Sequence, residues 1–105
     1  MTTEFWDYKE QVTFSKEKAA KVVLAETPHS RTTLWCLLPG QHIHAHVHEG
    51  DHIWVVLEGV ATFLGDGGPR RVTPGTVLVA PQGQAHGIDN NGDEGLVFLS
   101  VSAGA

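Results

Sequence analysis

Residues 42–52 read HIHAHVHEGDH, placing five histidines within eleven positions. In an extended chain successive side chains alternate between the two faces. An unbroken strand over His42–His48 would therefore set His42, His44, His46 and His48 on one face. Ile43, Ala45 and Val47 would occupy the other, and His52 would follow a Glu49-Gly50-Asp51 turn. A face of neutral imidazoles is a poor core and a poor solubilising surface. It does suit a divalent transition ion, for which imidazole nitrogens are good ligands.

The segments on either side of this stretch have the character of a β protein. Short runs rich in β-branched, aliphatic and aromatic residues recur between Gly and Pro breakers. They predict strands over Val22–Ala25, Arg31–Leu38, His42–His48, His52–Leu57, Val60–Leu64, Arg70–Thr73, Thr76–Ala80 and Leu96–Val101. Gly65-Asp66-Gly67-Gly68-Pro69 reads as a hairpin connection, and Asp89–Gly95 (DNNGDEG) as a turn-rich loop. Only Ser15–Lys21 is expected to form a helical turn. The pattern is that of an all-β sandwich or barrel. Residues 1–105 read as a single domain in which 1–21 form an apolar arm carrying Phe5, Trp6, Tyr8, Val12 and Phe14. The arm is expected either to add a strand over the barrel or to make a dimer contact.

Composition narrows the function. Twelve acidic against seven Lys and Arg residues give a net charge of −5, with no cationic cluster to displace counterions from a nucleic acid. No run approaches the length of a membrane span. Met1–Glu10 carries acids and aromatics where a secretory leader needs a basic and then an apolar region, so a cytoplasmic location is expected. The one cysteine, Cys36, rules out an intramolecular disulfide and a multi-cysteine zinc site, and is expected to be a small buried hydrophobe.

Two spacings then carry a resemblance. Gly40 is followed after five residues by His46-Val47-His48, then by His52 and, six residues further on, Gly59. Gly75, Pro81, Gly83, His86 and Asn90 form a second pattern. Together they resemble the two motifs of the cupin superfamily, and the second fits at every fixed position. The resemblance implies a double-stranded β-helix, or jelly-roll, barrel. It also implies metal ligation by His46, His48 and His86, with His52 standing where the family usually has Glu. The chain thus looks like a small single-domain cupin with a four-histidine metal site.

Four neutral imidazoles leave a divalent ion its full charge, which favours anionic oxygen ligands. Mn, Fe, Co, Ni, Cu and Zn are the candidate ions, whereas Ca and Mg prefer oxygen donors. His44 is the candidate general base or supporting donor, and His42 is expected at the rim. Trp54 and Val56 share the parity of His52 and should point inward. Gly83 and Asn90 are expected to shape the turn presenting His86. Arg31, Arg70 and Arg71 are candidate anion anchors. The first functional expectation is an oxygenase-type oxidoreductase acting on a small oxygenated or anionic molecule, working as a homodimer. The alternatives are an isomerase, lyase or epimerase for a sugar or keto acid, and a non-catalytic metal- or sugar-binding sensor.

Overall fold

The computed structural model describes residues 2–47 and 49–104, and of His46 the backbone only. A short helix, α1 (Tyr8–Gln11), precedes nine strands. These are β1 (Ala20–Thr27), β2 (Ser30–Leu37), β3 (His42–Val47), β4 (Asp51–Glu58), β5 (Ala61–Gly65), β6 (Arg70–Val72), β7 (Val77–Ala80), β8 (Ala85–Asp89) and β9 (Leu96–Ala103). They form a five-stranded sheet in the order β1-β2-β9-β4-β7 and a four-stranded sheet in the order β3-β8-β5-β6, each neighbouring pair antiparallel. The expected all-β jelly roll is therefore the fold.

Alternation along the strands decides what fills the space between the sheets. Leu37, Trp54, Val56, Leu96 and Phe98 from the larger sheet meet Ala61, Val72 and Ile88 from the smaller one in the inner core. Residues of opposite parity, Leu34, Cys36 and Val97, form a second cluster with Leu24. The arm covers this outer cluster through Tyr8 and Val12, so it packs as a helical turn rather than as an added strand. Asp7 caps that turn by accepting from Lys9 N. The helical turn expected at Ser15–Lys21 is not formed: 20–21 already belong to β1.

The link between β2 and β3 positions the histidine strand. Leu38-Pro39-Gly40-Gln41 closes with Gln41 N donating to Leu38 O at 3.0 Å, and Gly40 takes φ +87°. Proline at the second and a positive-φ glycine at the third position are what a type II turn requires. Gly40 N donates to Asn90 O, and Asn90 N to Gln41 O, which ties the entry to β3 to the exit from β8.

The strand β3 itself departs from the simple alternation. Its register runs Ile43↔Ile88 and then His46↔His86, three residues of β3 against two of β8, so a bulge interrupts it. Ile43 consequently packs against the inner core while His42 and His44 are exposed. The expectation that four histidines share one unbroken face is corrected on this point. The bulge brings the β3 backbone against Gly87. A Cβ there would lie 2.5 Å from Ala45 N and 2.5 Å from Ile43 O, which only glycine avoids.

Candidate metal centre and its cavity

His86 enters from β8 and His52 from β4, so the two sheets each supply one imidazole. Their ring centroids are 4.6 Å apart with a 40° tilt. His86 is buried, and its Nδ1 lies 3.2 Å from the carbonyl of Gln84. A carbonyl oxygen only accepts, so Nδ1 carries the proton and Nε2 is the nitrogen with a lone pair, the form in which imidazole ligates a cation. Histidines that ligate metals are commonly oriented by such a hydrogen bond. The backbone of His46 lies directly opposite His86 in the β3–β8 ladder.

The donor chemistry fits a borderline transition ion. Among the described residues no group of three His, Cys, Asp or Glu side chains could hold one. The His46 side chain and the whole of His48 lie outside the described residues, so the expected four-residue set is represented here by His52 and His86.

The turn presenting His86 is built as the sequence implied. Pro81 O accepts from Gln84 N, with Gly83 between them at φ +90°. Asn90 is buried and fully used: its Nδ2 donates to Leu37 O and to Glu94 O, both at 2.9 Å, and its Oδ1 accepts from Gly92 N. It shapes the loop after β8 and is occupied by backbone partners. His44 sits with His42, their Nε2 atoms 3.2 Å apart and both side chains exposed. Neither is among the residues lining the cavity at His52 and His86.

That cavity has a volume of about 380 Å³. Trp54 borders it beside the histidines, its ring 5.3 Å from that of His86 and 4.8 Å from that of Phe98. Trp54 and Val56 are buried on the inner face, as their parity required. The indole Nε1 of Trp54 is buried without an acceptor among the described residues. Leaving such a donor unmet costs about 1–3 kcal/mol. Of the three expected anion anchors, Arg31 lines the cavity, whereas Arg70 and Arg71 are exposed on β6 and do not.

Sequence reasoning missed the hydroxyls of Thr33, Ser100 and Ser102 on the cavity wall. Their positions in β2 and β9 follow the same alternation that buries Phe98, and that parity was the signal available. Cys36 is fully buried, and burial pushes its thiol pKa up despite an opposing backbone hydrogen bond from Thr13. A raised pKa leaves little thiolate, in keeping with a packing role.

The chain is similar in sequence and fold to known proteins. Residues 33–102 match the profile of the cupin domain. The chain is 31% identical to an oxalate-binding protein of Thermotoga maritima, the match covering 78% of this chain and 71% of that protein. It superposes with a TM-score of 0.89 on a Klebsiella pneumoniae protein with a double-stranded β-helix domain, at 34% identity over 97% of this chain and 90% of the other. A predicted oxalate decarboxylase from Thermotoga maritima aligns with a TM-score of 0.77 at 27% identity, covering 81% and 79% of the two chains. Among the described residues no helix is long and apolar enough to cross a membrane.

Proposed function

The chain belongs to the cupin domain family, and from that premise we propose that it binds a small carboxylate at a divalent transition ion held by His46, His48, His52 and His86. The observation that carries this reading is the meeting of His52 and His86 across the two sheets, with the His86 tautomer set by Gln84 O. When bound, such an ion supplies Lewis acidity toward an oxyanion and, for Mn or Fe, redox capacity as well. The protein's own part is positional. The β8 turn aims His86, Trp54 and Phe98 keep bulk water from the inner end, and the hydroxyls of β2 and β9 line the approach. The relatives' association with oxalate supports an acid rather than a sugar as the ligand.

Titration of oxalate into protein loaded with Mn(II) or Zn(II), against metal-stripped protein, tests the binding reading. Saturable binding that disappears on stripping is expected; equal binding with and without metal contradicts it. The reaction expected from the sequence, oxygenase-type oxidation, belongs to the same site and requires air. Turnover that persists under nitrogen with Zn(II) would assign isomerase or lyase chemistry instead.

We also propose that the chain forms a homodimer through the uncovered half of the outer face. There Ile53, Val77 and Val79 remain 37%, 61% and 61% exposed, next to the half that the arm covers.

A further inference from the structure

The cavity wall is built in rows of direct cross-strand partners on β2, β9 and β4. Arg31, Ser102 and His52 form one row, and Thr33, Ser100 and Trp54 the next. The row below, Trp35, Phe98 and Val56, is apolar and joins the inner core. Polarity therefore rises from the core toward the mouth, and each polar row runs from an arginine or threonine on β2 to an aromatic ring on β4. Neighbouring strands lie about 4.8 Å apart, so the backbones at Arg31 and His52 are separated by about 10 Å.

Two groups in these rows have donor capacity to spare. Arg31 uses Nε to donate to Glu26 Oε1 at 3.0 Å, which leaves its Nη groups for a planar oxyanion. Trp54 is 4% exposed and its Nε1–H has no acceptor among the described residues. The two donors stand on β2 and β4, two strands and one row apart on the cavity wall. Among the described lining residues Lys21 and Arg31 stand with Glu49, and Arg31 is paired from outside the lining by Glu26. Oxalate, with its two carboxylates on a single carbon–carbon bond, is short against the roughly 10 Å between β2 and β4 and fills a small part of about 380 Å³.

We propose that the cavity takes a dicarboxylate longer than oxalate, of the length of succinate to adipate. One carboxylate occupies the His52–His86 end and accepts from Trp54 Nε1–H, and the other meets the Arg31 guanidinium. The hydroxyls of Ser100 and Ser102 flank the chain between them. The first carboxylate rests on the metal-centred reading above; the second rests on Arg31 alone.

The test is calorimetric titration of Zn(II)-loaded protein with oxalate, succinate, glutarate and adipate. In the unaltered protein the best of the longer acids binds at least about tenfold tighter than oxalate. Arg31→Gln removes that advantage, costing the longer acids at least about tenfold more than it costs oxalate. Trp54→Phe weakens every acid, and the indole N–H resonance of Trp54 in the unaltered protein moves downfield on addition of glutarate. Oxalate binding as tightly as the longer acids, or an advantage that survives Arg31→Gln, overturns the proposed span while leaving metal-centred binding intact. A stationary indole resonance overturns the role of Trp54, independently of whether the Phe variant folds. Zn(II)-loaded protein that binds none of the acids overturns the underlying reading, and the proposal with it.

Discussion

His86 illustrates how one side chain is prepared by its surroundings. The Pro81–Gln84 turn positions its ring, and the Gln84 carbonyl fixes which nitrogen carries the proton. Its neighbour His52 stands where a carboxylate is the family habit, and the difference is a whole unit of charge. A neutral imidazole leaves the ion at +2, whereas a carboxylate would lower the site to +1. His52→Glu should therefore keep one ion per chain but weaken carboxylate binding by roughly tenfold, as titration of the metal-loaded variant will measure. Undiminished affinity would show that site charge does not govern anion binding. Both residues were legible as ligand candidates, His86 because Gly75, Pro81, Gly83, His86 and Asn90 stand at a spacing few other segments share, and His52 because it follows His46 and His48 at a set distance before Gly59. Trp54 was legible by parity alone. Its unmet N–H was not, since only the packed surroundings determine whether an acceptor lies within reach.

The strand β3 (His42–Val47) shows where pattern reading stops. Alternation predicts one histidine face, yet the bulge between Ile43 and His46 turns His42 and His44 to the surface and Ile43 to the core. Nothing within HIHAHV specifies that bulge; it is specified with Gly87 on the partner strand, whose missing side chain admits the displaced backbone. Gly87→Ala should cost about 1–3 kcal/mol in denaturant unfolding, because the atoms it meets are backbone and cannot step aside. A loss below about 0.5 kcal/mol would show that the bulge relaxes freely. The strand β8 (Ala85–Asp89) was not anticipated as a strand for a related reason. Its glycine and histidine lower the local β signal, and pairing on both sides, with β3 and β5, supplies the order instead. The helix α1 is four residues long and is held by Tyr8 and Val12 against the outer cluster, a tertiary cause invisible in local propensity.

At the scale of the molecule, two faces of one five-stranded sheet divide the work. The inner face grades from the apolar core to the polar cavity, and the outer face is half covered by the arm. If the other half is the homodimer contact, sedimentation at micromolar concentration should give twice the chain mass, and Val77→Lys with Val79→Lys should halve it. A monomer in the unaltered protein would contradict that assignment. The barrel class and the order of its motifs were legible because turns and alternation are local properties of the chain. The cavity was not, because Thr33, Ser100 and Ser102 come together only through the β2–β9–β4 register. The histidine centre is the claim on which the remaining functional argument depends. Its most direct test is a crystal structure of the metal-loaded protein with anomalous scattering recorded at the absorption edge of the ion. A single peak per chain within bonding distance of His46, His48, His52 and His86 is expected. A peak at the exposed His42–His44 pair, or none at the barrel histidines, would contradict it.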